Sequence, residues 1–244
     1  MAATSVFSAN PRYWAVIPAA GFGRRMESVI PKQYLLLHGR PVLAYTLERL
    51  AQHPNIAGIV VAIAHDDPHW QVMPAMQFSV PVHTVTGGKE RSHSVLNALN
   101  YLSQQAHAED WVLVHDAARP CVRVSDIDRL ITQLKEDTVG GLLAMPVRDT
   151  MKRTDSTQHV TATIERADLW HALTPQMFRL TMLRDAITVA LAQGVQVTDE
   201  AMAIELTGRR PRLVEGAADN IKITRHEDLQ LAELYLLQQL KNIS

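Results

Sequence analysis

Residues 14–26 read WAVIPAAGFGRRM, a short apolar run that ends at Pro18 and leads directly into a glycine-rich turn. An apolar, partly β-branched run that stops at such residues is typical of a buried strand feeding a loop. Small residues let backbone N–H groups approach an anion, and a following helix start adds partial positive charge. Arg24, Arg25 and Lys32 then supply cations for phosphate oxygens. This arrangement favours a phosphate-binding turn over a tight turn flanked by solvated cations.

Two familiar nucleotide-binding turns do not fit this stretch. Gly21 and Gly23 begin like the G-x-G-x-x-G dinucleotide fingerprint, but Met26 stands where the third glycine belongs. The second predicted strand also ends at His65, without the acidic residue that would hold a ribose. The Gly-Lys-Ser/Thr of a P-loop is absent as well. We therefore exclude the NAD-binding and P-loop interpretations.

The chain beyond the turn alternates apolar runs with amphipathic segments. This pattern predicts further strands at 59–64, 82–85, 111–114, 141–147, 212–214 and 220–223. It predicts helices at 41–51, 92–102, 126–134, 181–192, 200–206 and 226–240. Continuous apolar strands separated by such helices indicate an α/β fold with a mostly parallel, Rossmann-like sheet that carries helices on both faces.

Residues 148–166 break the pattern with a polar stretch that is rich in threonine and has no apolar face. We interpret it as a β-hairpin arm that projects from a single domain spanning residues 1–244. Because isolated two-stranded ribbons are marginal in water, we expect the arm to be stabilised by another chain. A two-fold homodimer is the commonest closed solution.

The composition limits the partners that this chain can have. Its 24 Lys and Arg balance 25 Asp and Glu, which argues against nucleic-acid or membrane-surface binding, since phosphate contacts need a cationic excess. The longest uncharged apolar run, residues 59–64, is far below the roughly 20 residues that a membrane helix needs. One cysteine and no apolar signal region fit a cytoplasmic protein.

The turn at 18–26, together with Pro31-Lys32-Gln33, resembles nucleotidyltransferases that join a nucleoside triphosphate to a sugar or polyol phosphate. More narrowly, the chain resembles the 2-C-methyl-D-erythritol 4-phosphate cytidylyltransferase family of the non-mevalonate isoprenoid pathway. The matching blocks follow the family's order along nearly the whole chain, at residues 87–88, 90–91, 114–120, 146–150, 170–176, 198–200 and 219–222. One departure is Lys89, which stands where the family commonly has an acidic residue, and we assign it no role.

The resemblance implies a fold of the nucleotide-diphospho-sugar transferase type and transfer of a cytidylyl group from CTP to methylerythritol phosphate. It implies a dimer whose arm completes the partner's site, and it implies that Arg25, Lys32, Arg166 and Lys222 are catalytic. The substrate-binding residues that it implies are Pro18, Ala19, Ala20, Gly21, Phe22, Gly23, Gly88, Ser94, Ala117, Arg119, Thr150, Thr174 and Thr198. Ser94 can equally be a helix cap, and β-propensity alone explains several of the threonines.

Asp116 is the expected ligand of Mg²⁺ or another divalent cation. It ends a predicted strand at the same sheet edge as the glycine-rich turn, where open α/β sheets bind ligands. One carboxylate is enough when a triphosphate supplies further oxygens, although an isolated aspartate at a strand end can also cap the following segment. The resemblance favours the metal. Two other functions stay open: a ribitol 5-phosphate cytidylyltransferase, and a catalytically silent nucleotide-binding dimer scaffold.

Overall fold

The structure is a computed structural model that describes residues 11–22 and 29–241. The predictions for Gly23, Arg24 and Arg25 lie outside the described residues. Within those residues the strands are β1 (Tyr13–Pro18), β2 (Leu36–Leu37), β3 (Arg40–Pro41), β4 (Ile56–Ile63), β5 (Val82–Thr86), β6 (Trp111–Val114), β7 (Gly140–Pro146), β8 (Met151–Thr154), β9 (Val160–Ile164), β10 (Trp170–Arg179) and β11 (Arg212–Glu215). The α-helices there are α1 (Val42–Ala51), α2 (Pro68–Gln71), α3 (Arg91–Leu102), α4 (Val124–Leu134), α5 (Leu180–Ala192), α6 (Glu200–Glu205) and α7 (Glu227–Lys241).

A seven-stranded sheet forms the centre, in the order β11-β7-β10-β6-β1-β4-β5. All neighbouring pairs are parallel except the two that involve β10, which runs antiparallel to β6 and β7. The predicted α/β class and mostly parallel sheet are therefore confirmed.

Helices cover both faces of the sheet, as predicted. Side chains alternate between the faces along each strand. On β1, Ala15 and Ile17 pack in the core that contains α1 and α4, whereas Trp14 and Val16 pack in the core that contains α3 and α5. The two cores fix the sheet from either side and bring the carboxyl ends of its parallel strands to one edge.

For the central sheet, the sequence predicts one strand that does not form and misses one that does. Residues 220–223 form no strand, because the polar groups of Asn220 bond to Thr174 and Arg119 instead of a sheet neighbour. Conversely, β10 was not predicted as a strand. Its first residues are exposed, and Pro175 falls where its pairing with β7 is interrupted between Ala172 and Gln176. Proline within a run argues against a strand, yet it is tolerated at such an irregularity.

The arm predicted at 148–166 is a separate two-stranded antiparallel sheet of β8 and β9. It projects from between β7 and β10, and the backbone N–H of Val147 donates to the carbonyl of Leu169 at 2.9 Å at its base. Every residue of β8 is exposed. Among the described helices, none is both long and apolar enough to cross a membrane.

Candidate active site

A cavity of about 630 Å³ opens at the carboxyl edge of the sheet. It lies beside the ends of β1, β5 and β6, the position where open α/β sheets bind ligands. Eleven of the predicted site residues line it: Pro18, Ala19, Ala20, Gly21, Phe22, Lys32, Gly88, Ser94, Asp116, Ala117 and Lys222. The structure therefore brings together segments that are far apart in the chain.

The glycine-rich turn is anchored from both sides. The N–H of Ala19 donates to the carbonyl of Ala62 on β4 at 2.7 Å. The buried amide of Gln33 donates to the carbonyls of Ala19 at 2.5 Å and Gly21 at 3.1 Å. The Gln33 bonds occupy two carbonyl oxygens of the turn, which would otherwise repel a phosphate, and they fix the turn at the cavity wall.

A second glycine loop packs directly against this turn. A Cβ atom on Gly87 would lie 2.3 Å from the Ala20 Cβ, so only glycine allows this approach. The Ser94 hydroxyl accepts from the N–H of Gly88 at 3.0 Å and donates to the carbonyl of Glu90 at 3.2 Å. Ser94 lines the cavity, but in this structure its hydroxyl organises the loop at the start of α3.

Asp116 lies at the centre of an ion-pair cluster at the end of β6. Arg91 Nε donates to its Oδ1 at 2.9 Å, and Lys222 Nζ lies 2.8 Å from its Oδ2. Arg119 Nε lies 3.4 Å from the same Oδ2. Burial alone would raise the pKa of Asp116, but Arg91 and Lys222 hold this pKa well below its ordinary value. The carboxylate is therefore ionised at neutral pH.

A buried hydrogen-bond chain fixes the backbone of Asp116. Its N–H donates to Thr174 Oγ1 at 3.1 Å, and that oxygen lies 2.9 Å from His115 Nδ1. His115 Nε2 lies 3.1 Å from the carbonyl of Arg119, so Nε2 carries the proton and the Thr174 hydroxyl donates to Nδ1. Burial lowers the pKa of His115 to about 4, which keeps the ring neutral and this order of donors intact.

Lys32 and Lys222 reach the cavity from opposite ends of the sequence. Lys32 Nζ donates to the carbonyl of Ile223 at 2.9 Å, next to Lys222. Arg119 Nη1 donates to the carbonyl of Asn220 at 2.7 Å, and the Asn220 amide donates to the carbonyl of Thr174 at 2.7 Å. Carbonyl groups of the irregular segment at residues 220–223 thus position the cationic side chains of Lys32 and Arg119.

Five predicted site residues do not line the cavity. Arg119 and Thr174 are buried behind it and support Asp116. Thr198 is exposed just before α6, with its hydroxyl 3.4 Å from the Met202 sulfur. Thr150 and Arg166 are exposed at the base of the arm, where Arg166 Nη1 donates to the carbonyl of Arg148. The substrate contacts assigned to these residues stay predictions.

Sequence reasoning missed two residues of the cluster, Arg91 and Glu200. Arg91 lines the cavity and forms two parallel hydrogen bonds to Glu200, at 2.6 and 3.0 Å. Glu200 is 1% exposed. Both residues belong to blocks that carry the family resemblance, at residues 90–91 and 198–200. Membership in these blocks was the signal that could have identified them.

The residues at the cavity fit Mg²⁺ if substrate phosphates supply most of its ligands. No group of three His, Cys, Asp or Glu side chains within residues 11–22 and 29–241 can hold a metal ion. Mg²⁺ is commonly bound by one or two carboxylates plus substrate phosphates, and the ionised Asp116 at the cavity supplies one. The ion would have to share this carboxylate with Arg91 and Lys222.

The comparisons with known proteins agree on one family. The model of the 2-C-methyl-D-erythritol 4-phosphate cytidylyltransferase family matches residues 13–238. The curated protein of that name from Vibrio vulnificus (strain YJ016) is 54% identical over 225 residues, which cover 92% of this chain and 94% of that protein. The corresponding protein from Pseudomonas putida (strain KT2440) is 53% identical over 223 residues, 90% of this chain and 94% of its own length.

Solved structures agree in fold. The 2-C-methyl-D-erythritol 4-phosphate cytidylyltransferase of Francisella tularensis superposes with a TM-score of 0.79 at 37% identity, over 92% of this chain and 99% of that one. The protein of the same name from Thermus thermophilus gives a TM-score of 0.73 at 30% identity, over 91% and 98% of the two chains.

Proposed function

The chain belongs to the 2-C-methyl-D-erythritol 4-phosphate cytidylyltransferase family, and we infer that it transfers the cytidylyl group of CTP to 2-C-methyl-D-erythritol 4-phosphate and releases pyrophosphate. The observation that carries this inference is the family match over residues 13–238, together with a cavity lined by the same ordered blocks. The product, 4-diphosphocytidyl-2-C-methyl-D-erythritol, belongs to isoprenoid precursor biosynthesis.

The reaction is a displacement at phosphorus. An oxygen of the 4-phosphate attacks the α-phosphorus of CTP, and the bond from that phosphorus to the oxygen bridging the α- and β-phosphates breaks. The electron pair leaves with pyrophosphate. Because the attacking oxygen is already ionised, no strong general base is needed. The difficulty is that two anions must meet, so catalysis depends on alignment and charge stabilisation.

The described residues supply both. Residues 18–22 of the glycine-rich turn line the cavity, and we assign backbone N–H groups of this turn to the triphosphate. Lys32 and Lys222 place two ammonium groups at its wall, and we assign them to the α-phosphoryl oxygens and the attacking phosphate respectively. Arg25, outside the described residues, is proposed to join Lys32. The chain thereby lowers the repulsion between the two substrates.

We propose that Asp116 holds Mg²⁺, or another divalent cation, together with oxygens of the triphosphate. Such an ion supplies charge neutralisation for the triphosphate and the leaving group. The support is the ionised state of Asp116 and its place in the cavity wall.

We also propose a homodimer in which the arm of one chain completes the site of the other. The support is that Arg166 and Thr150 are exposed on the arm and do not line the cavity of their own chain. In the dimer, Arg166 would hold the attacking phosphate opposite Lys222. We retain a cytoplasmic location as a prediction from the composition.

A pyrophosphate-release assay tests the function. The purified chain is mixed with Mg²⁺, each of the four nucleoside triphosphates, and either methylerythritol 4-phosphate or ribitol 5-phosphate. We expect turnover with CTP and methylerythritol 4-phosphate. Faster turnover with ribitol 5-phosphate would establish the alternative cytidylyltransferase. Nucleotide binding with no pyrophosphate release from any pair would establish the scaffold.

A further inference from the structure

The ion pair between Arg91 and Glu200 adjoins the Asp116 carboxylate. Arg91 is the first residue of α3, Glu200 is the first residue of α6, and Asp116 follows β6. The two terminal nitrogens of the guanidinium donate hydrogen bonds to Glu200, and its Nε donates one to Asp116. Arg91 therefore bridges two buried carboxylates, of which only Asp116 lines the cavity.

The charges of this cluster oppose the binding of a cation. Asp116 has three cationic neighbours, from Arg91, Arg119 and Lys222. With Glu200 included, the cluster carries one positive charge in excess. Without the charge of Glu200 the excess would double, and Arg91 would have Asp116 as its remaining carboxylate partner among the described residues. A divalent cation would then approach a cluster with more positive charge, and Asp116 would be bound more strongly by Arg91.

We propose that Glu200 is a positioning residue that keeps Asp116 available to a divalent cation by neutralising and orienting the guanidinium of Arg91. This inference rests on the proposed cation site at Asp116. Glu200 itself does not line the cavity, so it acts through Arg91. The bidentate geometry also fixes the guanidinium plane, which leaves a single Nε–H bond to Asp116.

Glu200→Gln tests this proposal, because it keeps the shape of the side chain and removes its charge. Binding of Mn²⁺ in the presence of CTP is followed by electron paramagnetic resonance. Binding of metal-free CTP in the presence of EDTA is followed by equilibrium dialysis. We expect Mn²⁺ to bind about tenfold more weakly to the variant, and metal-free CTP to bind about threefold more tightly, since the extra positive charge attracts the triphosphate.

Opposite shifts separate this role from structural damage. A distorted cavity would weaken the binding of both ligands, and that result would overturn the proposal, as would two unchanged affinities. Glu205→Gln makes the same change at the other end of α6, on its exposed side, and should alter neither affinity. Should Glu200→Gln fail to fold, Arg91→Gln removes the opposing charge and must strengthen Mn²⁺ binding. Weaker binding there would also overturn the proposal.

Asp116→Asn distinguishes failure of this inference from failure of the cation site. If Asp116 holds the ion, this variant loses most Mn²⁺ binding, and adding Glu200→Gln to it changes the affinity no further. If Asp116→Asn binds Mn²⁺ like the unmodified chain, the proposed cation site is wrong and the inference falls with it. If Asp116→Asn alone weakens binding and Glu200→Gln does not, the site stands and the role of Glu200 is wrong.

Discussion

The Asp116 cluster and the hairpin arm are both polar, but their side chains find partners at very different distances along the chain. Arg91 bonds to Glu200 across 109 residues, and Lys32 bonds to the carbonyl of Ile223 across 191. On the arm, Thr157 bonds to Asp155 across two residues. The cluster therefore exists only when the whole sheet is folded, whereas the arm is organised by local hydrogen bonds.

This difference has an energetic consequence. A buried group that loses its partner is left unsatisfied at a cost of about 1–3 kcal/mol, whereas water replaces a partner lost on an exposed arm. The folded chain alone thus orders the charges around Asp116. Under the proposed dimer, Arg166 obtains its substrate contact only from a second chain. Four experiments test this contrast.

The largest effect is expected for Asp116→Asn. The change removes the charge at the centre of the cluster while keeping its shape, so kcat/KM should fall by about 10³-fold, and the Mg²⁺ requirement of any residual activity should rise. Steady-state kinetics across a Mg²⁺ titration measure both. Asp155→Asn, the same change in the turn of the arm, should leave kcat/KM within about threefold. Equal losses of kcat/KM in the two variants would show that the cluster and the arm do not differ in this way.

The second experiment mixes damaged chains. Lys32→Ala and Arg166→Ala should each lower kcat by about 10²-fold, the cost of one charge-stabilising donor. If each site takes Lys32 from one chain and Arg166 from the other, a mixed dimer contains one doubly damaged site and one intact site. Refolding an equal mixture makes half of the dimers mixed, so about a quarter of all sites should regain activity.

A site built by one chain alone predicts the opposite result for the mixture. If each chain builds its own complete site, every site in the mixture carries one lesion and no activity returns. Mixed dimers must be confirmed by mass spectrometry, with one variant carrying a mass tag. Confirmed mixed dimers that are no more active than their parents would rule out the shared site.

The same contrast explains which parts of the molecule the sequence could reveal. Period and composition located β6 with its observed bounds and the arm as a hairpin. They failed at β10, where Pro175 interrupts a real strand, and at residues 220–223, where side-chain bonds replace sheet pairing. Local patterns predict elements whose hydrogen bonds are local or whose apolar side chains recur at a regular spacing. These two segments have neither property.

The site was predictable where a local signal or the family resemblance pointed to a residue. The glycine-rich turn and Lys32 were found from their own stretch of sequence, and the family resemblance supplied Lys222. No local signal assigned a role to Arg91 or Glu200, because an ion pair across 109 residues leaves no periodicity. For the same reason, the sequence could not show whether Thr174 supports Asp116 or contacts the substrate.

The third experiment compares one substitution in the two regions. Thr174→Val removes the hydroxyl that accepts from Asp116 and bonds to His115, so the free energy of unfolding should fall by about 2 kcal/mol. Thr161→Val removes an exposed hydroxyl that donates to the carbonyl of Arg153, and its cost should stay below about 0.5 kcal/mol. Urea denaturation gives both values. Similar costs would mean that burial does not separate the regions.

The smallest effect concerns pH, and it depends on His115. Burial lowers the pKa of His115 to about 4, whereas an unfolded histidine titrates near 6.5. Below about pH 6.5 the unfolded chain takes up a proton that the folded chain does not, so stability is lost as the pH falls toward 4. Between about pH 7 and pH 5.5 this histidine should cost about 1 kcal/mol.

His115→Gln should remove this part of the pH dependence, whatever it costs at neutral pH, and urea denaturation at several pH values measures it. The buried His53, whose pKa burial also lowers, is present in both chains, so the difference isolates His115. His159→Gln on the exposed arm changes the same residue type and should leave the dependence as it is. Parallel stability curves for the unmodified chain and His115→Gln would show that the ring takes up its proton without disturbing the cluster.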